Sequence, residues 1–267
     1  MFSRWLRAVG LDWACFYTGL KGLRRFWSDY RRVIKLNSAA GNPWNIRASY
    51  PCLHDFYGES GVASGHYFYQ DLLIAQKIFE RRPLKHVDVG SRIDGFVAHV
   101  ASFRVVEVLD IRPLNSVIPN IIYHQCDLLD VPSEFHGCSD SLSCLHVLEH
   151  LGLGRYGDPI DIDGHIKGLI NLTKMLKPGG SLYLSAPFGV ERIEYNAHRV
   201  FDLRTLLALI ERSLEIVEFS MVDDAEELHV NADLQSAVRR SSCYQFALAI
   251  FELRKPIARK SHERIGL

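Results

Sequence analysis

Residues 86–110, HVDVGSRIDGFVAHVASFRVVEVLD, constrain what this chain can fold into more than any other stretch. An apolar run carrying Asp88 gives way to a turn holding Gly90 and Gly95. An apolar run at helical spacing follows, and then a second apolar run that ends at Asp110. That order predicts strand, tight turn, helix and strand. The two acids close their strands 22 positions apart. This layout suits a nucleoside-containing cofactor laid across the carboxyl ends of a parallel sheet, the second acid reaching ribose hydroxyls.

The rest of the chain extends the pattern. Residues 66–80 place Phe68, Leu72, Ile74, Ala75, Ile78 and Phe79 at helical spacing. Further strands are expected near 121–124, 141–146 and 181–185, with helices near 93–101, 163–176 and 203–211. Two late apolar runs, 214–222 and 244–252, show no helical signal between them and read as an antiparallel pair at the sheet edge. In LKPGG, residues 176–180, a helix is expected to turn into a strand, with Gly179 in a left-handed cap. The alternation predicts an α/β fold: a doubly wound, mostly parallel, seven-stranded sheet with helices on both faces.

Composition narrows the function classes. The 267 residues carry no formal net charge, so no global field favours nucleic acid, and no basic stripe with interleaved aromatics appears in the core. Six scattered cysteines without a C-x-x-C pair fit free thiols of a reducing, cytoplasmic setting. No stretch reaches the ~20 apolar residues of a membrane span. Residues 1–36 break the neutrality, with eight basic residues against two acidic, and all four tryptophans fall within the first 44 positions. A basic, aromatic segment of this kind suits peripheral contact with an anionic membrane surface. The alternative is a pair of helices packed on the domain with solvated arginines outside. The expected division is a helical extension and linker over 1–64, an α/β domain over 65–253 and a polar tail over 254–267.

Three further features fall at the right places for one reading: Asp127 after the third strand, the LKPGG turn, and an apolar strand that Asp140 opens and Glu149–His150 closes. With these, the chain resembles the class I S-adenosylmethionine-dependent methyltransferases, with their Rossmann-like fold, over roughly residues 85–252. The resemblance implies S-adenosylmethionine as cofactor. It puts Asp88 and Gly90 beside the methionine moiety, Asp110 on the ribose and Asp127 at the adenine; Ser91, Gly95 and His146 are further cofactor-binding candidates. The usual first motif, D-x-G-x-G-x-G, is altered: Arg92 and Asp94 stand at two glycine positions, and Gly95 comes one step late. Arg92 is placed to pair with the cofactor's carboxylate. HVDVGSRIDGFVAH, LDIRPL, HVLEHLGLGRYGDPID and NAHRVF together are similar to a methyltransferase-like family, domain of unknown function 268. That resemblance implies the fold and hints at surface-glycan biosynthesis.

Chemistry is expected in and around GLGRYGD, residues 152–158. Glu149, His150, Arg155, Tyr156, Asp158, Asp161 and His165 fall within 17 residues, on a glycine-rich loop where α/β enzymes place function. His150 is the candidate general base, with Glu149, His198 and Arg155 as further catalytic candidates, and Asn196 and Arg199 are expected to face the same crevice. The plainer alternative makes Arg155–Asp158 a structural pair. A metal set drawn from His146, His150, Asp158, Asp161, Asp163 and His165 matches no ligand spacing, so no metal is assigned. Two classes remain: a methyltransferase for a small hydroxylated acceptor, a sugar or glycan included, or a non-catalytic scaffold subunit of a glycan-assembly system.

Overall fold

The computed structural model describes residues 2–257; the polar tail expected after 254 lies almost wholly outside them. The chain divides into two compact units, Met1–Val62 and Ala63 onward.

In the first unit, α1 (Phe2–Ala8) and α2 (Trp13–Ser38) are separated by a short break. Asp12 caps α2 by accepting from the Ala14 and Cys15 amides. The chain after α2 returns along it. At Gly22 a Cβ would lie 1.9 Å from the Leu53 carbonyl, so only glycine permits that approach. Thr18 meets His54 at 3.0 Å, and the Arg25 guanidinium stacks on Phe56. A stripe of Trp13, Phe16, Tyr17, Leu20 and Trp27 is left exposed along α2. Among the described residues no helix is long and apolar enough to cross a membrane.

The second unit is built on one sheet. Its strands are β1 (His86–Val89), β2 (Val106–Asp110), β3 (Ile121–Gln125), β4 (Ser139–Leu145), β5 (Leu176–Phe188), β8 (Glu215–Val222), β9 (Leu228–His229) and β10 (Ala247–Arg254); β6 (Arg192–Glu194) and β7 (His198–Val200) form a separate hairpin. The sheet order is β3-β2-β1-β4-β5-β10-β8-β9. Pairings from β3 through β5 are parallel, and those from β5 outward are antiparallel. The expected mostly parallel, doubly wound fold is therefore present, with the two-residue β9 making an eighth strand. The late apolar runs do pair antiparallel, but β10 inserts between β5 and β8 instead of both lying at the edge.

Alternation along the strands sorts the core into two faces. Val87 and Val89 pack with α5 (Gly164–Met175) and α6 (Leu203–Ile210), whereas Val106 and Val108 pack with α3 (Gly65–Arg81) and α4 (Ala98–Ala101). Strand β10 splits the same way, Ala249 and Phe251 to one face, Leu248 and Ile250 to the other. Two local expectations are corrected. A short helix, α7 (Leu234–Arg239), capped by Asp233, does lie between the late strands; at six residues it is too short to print a period on the sequence. Gly179 is left-handed, at φ 81°, but α5 ends at Met175, so the glycine serves a bulge at the start of β5 and not a helix cap.

Candidate active site

The carboxyl ends of β1, β2 and β4 open onto a cavity of about 700 Å³. Its floor is the turn after β1. Gly90 has φ 77°, and a Cβ there would meet Val147 at 2.8 Å, so the residue is restricted to glycine on both counts. Asp88 is fully buried beneath this turn and does not reach the cavity wall. It accepts from the Ser91 amide at 3.0 Å, the Ser91 hydroxyl at 2.8 Å and the Ser143 hydroxyl. Burial pushes its carboxyl up to about 7 against those hydrogen bonds. Asp88 thus holds the shape of the turn.

The altered glycine motif has a structural counterpart. Over Ile93–Val97 the helix widens, and the Val97 amide reaches the Arg92 carbonyl five residues back. A wide turn of this type takes in one extra residue, which matches Gly95 arriving one step late. Arg92 and Asp94 pair with each other at the exposed rim, so Arg92 is already engaged by a carboxylate of the chain.

Asp110 ends β2 at the cavity wall, where the sequence put it. Both its oxygens are engaged by its neighbour Arg112, which donates from its amide at 2.8 Å, from Nε at 2.9 Å and from Nη2. The Arg112 guanidinium also lies over the Tyr156 ring at 4.8 Å, joining Asp110 to the GLGRYGD loop. Asp127, half-buried on the same wall, caps the turn Leu128–Asp130 through the Leu129 amide.

Beyond β4, His146 and His150 flank one buried carboxylate, and His66 of α3 stacks on His146. His146 takes a left-handed conformation, φ 56°, that a non-glycine residue enters at a cost of ~1–2 kcal/mol. Its Nδ1 lies 2.6 Å from Glu149 Oε1 and its Nε2 3.1 Å from His66 Nδ1. Glu149 is 1% exposed, and its Oε2 has no partner. Burial works to raise its pKa, but His146 and His150 beside it prevail and hold it below the usual value. His150 donates from Nδ1 to the Ala197 carbonyl at 2.6 Å, and its Nε2 lies 3.7 Å from Glu149 Oε1. Burial lowers the pKa of His150 and holds that of His66 down at about 4.

The GLGRYGD loop is braced from inside. Asp158 does not pair with Arg155; it accepts from the amides of Gly152, Gly154 and Tyr156. Arg155 lines the cavity and donates to the Ala197 carbonyl at 3.0 Å. Arg199, expected at the crevice, is instead 4% exposed behind the loop. It donates to the carbonyls of Leu151 at 2.6 Å, Ile162 at 3.0 Å, Glu149 at 3.3 Å and Asp161 at 3.5 Å. Neither His198 nor Asn196 lines the cavity; His198 packs on Phe246 at 4.9 Å. Asp161 pairs with Lys167 at the exposed end of this segment.

The cavity therefore joins Gly90, Ser91, Gly95, Asp110, Asp127, His146, His150 and Arg155, with Glu149 just behind. Sequence reasoning missed Tyr67, Gln70 and Asp71 of α3, and His66 one position earlier. The available signal was Gln70–Asp71, a polar pair one turn before Ile74 and Ala75 on the helix's buried face.

A family profile described as Caenorhabditis protein of unknown function, DUF268, matches residues 118–255. No curated protein sequence matches the chain. Among solved structures, the [4+2]-cyclase SpnF is 16% identical, with a TM-score of 0.50 over 83% of this chain and 92% of that one. That likeness shows the fold alone. The N-methyltransferase NodS from Bradyrhizobium japonicum WM9, in complex with S-adenosylhomocysteine, is 14% identical, covering 85% of this chain and 98% of its own at a TM-score of 0.47. The 1,6-didemethyltoxoflavin-N1-methyltransferase of Burkholderia thailandensis is 15% identical, covering 86% and 90% at 0.49. A fold does not fix a reaction, which is argued from the site.

Proposed function

The chain belongs to the DUF268 family, and from its cavity we propose that it is an S-adenosylmethionine-dependent methyltransferase acting on a small hydroxylated acceptor, a sugar or surface glycan among them. The observation that carries this reading is the row Asp127, Asp110 and Gly90 beyond three adjacent strand ends, lining one cavity. The donor set fits the cofactor: a carboxylate suited to a diol, a second suited to an amino group, and apolar walls of Leu109, Ile111 and Leu128 between them. The volume falls in the range of small-molecule sites, roughly 300–1,000 Å³.

When bound, S-adenosylmethionine supplies an electrophilic methyl group. Asp110 would hold the ribose and Asp127 the adenine, while the Gly90–Gly95 turn offers backbone to the remainder. His150 acts on the acceptor. Its Nδ1 is committed to the Ala197 carbonyl, which leaves Nε2 as the basic nitrogen. Glu149 beside it stabilises the imidazolium that forms once the hydroxyl proton is taken. Arg155, fixed on the same Ala197 carbonyl, orients the acceptor. His198, off the cavity wall, packs behind His150 and takes no proton in this scheme. Acceleration comes mainly from holding two reactants in line in an enclosed site.

The exposed aromatic stripe and basic residues of α2 support peripheral contact with an anionic membrane, at the cytoplasmic face. One observation favours the second reading, a non-catalytic scaffold subunit: Arg112 engages both oxygens of Asp110. Calorimetry with S-adenosylhomocysteine separates the two. Wild type is expected to bind, and Asp110→Ala to bind more weakly by about 1.5–3 kcal/mol. No binding by wild type favours the scaffold.

A further inference from the structure

The face of α3 that borders the cavity carries two polar side chains that the scheme above does not use. Gln70 is 1% exposed and Asp71 8% exposed, and both line the cavity together with Tyr67. The three stand at i, i+3 and i+4, one face of the helix. Gln70 is held in place: its Oε1 accepts from the Ser185 hydroxyl at 2.6 Å, and its Nε2 donates to Asp71 Oδ1 at 3.1 Å. Ser185 itself accepts from the His146 amide at 3.0 Å. The Asp71 carboxylate is oriented by this chain and not by solvent.

Its other oxygen faces the turn after β1. A Cβ built on Gly95 would come within 3.2 Å of Asp71 Oδ2, so the late glycine makes room for this carboxylate. A backbone hydrogen bond from Phe96 also reaches Asp71. Among the described residues no lysine or arginine forms an ion pair with Asp71. The arginines of the cavity are engaged elsewhere, Arg92 with Asp94, Arg112 with Asp110 and Arg155 with the Ala197 carbonyl. A buried carboxylate without a cation is costly, and burial raises the pKa of Asp71 accordingly. A cation entering the cavity would offset that cost.

Position supplies the identity of the cation. The row of strand ends runs Asp127, Asp110, Gly90, and Asp71 stands past its last member, over Gly95. A nucleoside with its base at Asp127 and its ribose at Asp110 directs its ribose substituent toward Asp71. We propose that Asp71 receives the ammonium group of the ligand's amino-acid end, so that the cavity reads an α-amino acid as well as a nucleoside. This rests on the cofactor reading given above.

Calorimetry on the full chain tests it with three probes: S-adenosylhomocysteine, its desamino analogue, and methylthioadenosine, which lacks the amino-acid end. Wild type is expected to bind S-adenosylhomocysteine roughly 10- to 100-fold more tightly than the desamino analogue. Asp71→Asn keeps an acceptor for Gln70 and removes the charge. It is expected to erase that difference while leaving methylthioadenosine affinity unchanged. Equal binding of S-adenosylhomocysteine and the desamino analogue by wild type overturns the assignment, and that result depends on no variant folding. A parallel loss of S-adenosylhomocysteine and methylthioadenosine in Asp71→Asn also overturns it, because the residue would then be holding the turn. Wild type binding none of the three would overturn the nucleoside reading and this inference together.

Discussion

Two arginines serve the same loop by different physics. Arg199 spends its guanidinium on four backbone carbonyls in a buried pocket, whereas Arg155 reaches one carbonyl at the cavity edge. Arg199→Ala strands several carbonyls without donors and is expected to cost about 2–4 kcal/mol of stability. Arg155→Ala leaves a partly solvated site and is expected to keep wild-type stability and cofactor affinity while losing turnover or acceptor binding. Thermal unfolding and calorimetry on the pair decide the matter. If Arg155→Ala unfolds early, or loses cofactor as well, the loop is structural and Arg155 has no role with acceptor. Sequence alone placed both arginines near the crevice, because it reports which strand a residue follows and not which way the side chain turns.

At the scale of elements, α2 stands out for what it leaves uncovered. Its exposed stripe of Trp13, Phe16, Leu20 and Trp27 runs beside Lys21, Arg24 and Arg25, an arrangement suited to the boundary of an anionic bilayer. The full chain is expected to float with phosphatidylserine vesicles at low salt and to release as salt rises. Replacing those four apolar residues by serine should abolish flotation without unfolding the protein, since all four already face outward. Equal partitioning of the two proteins would end the membrane reading. The strand–turn–helix after β1 was legible in outline, because alternation and glycine placement are local signals. The widening at Ile93–Val97 was not: it lies where Asp71 of another helix comes up to Gly95, a meeting that local spacing does not record.

The whole molecule carries a pH signature. His66, His86, His150, His165 and His198 all have pKa values lowered by burial, His86 to about 3 and His66 to about 4. The folded protein keeps them neutral, while the unfolded chain takes up protons below about pH 6.5. Protonation therefore favours unfolding, and stability falls as pH drops from about 6.5 toward 4. Asp88 acts in the opposite sense: raised to about 7, it binds a proton in the fold that the unfolded chain releases above about pH 4. Asp71, also raised by burial, acts in the same sense as Asp88, and the five imidazoles outweigh these two carboxyls below pH 6.5. Melting temperature is expected to peak near pH 6.5–7 and to fall steadily toward pH 4.5. A flat profile across that interval would show that these histidines are not held neutral in the fold.

What the sequence by itself determined was the parallel half of the sheet, its acidic strand ends and the loop that follows β4. Each is written in short-range spacing: period two in the strands, period 3.6 in the helices, glycine where the backbone turns left-handed. Tertiary structure alone decided which of those residues meet. His66 and His146 are 80 positions apart in the chain, and Gln70 and Ser185 are 115 apart. Arg112 sits two residues from Asp110, yet its stacking on Tyr156 needed the loop to be folded back over β2. Long-range contacts of this kind come from burying both faces of the sheet at once. Spacing along one segment holds no record of them.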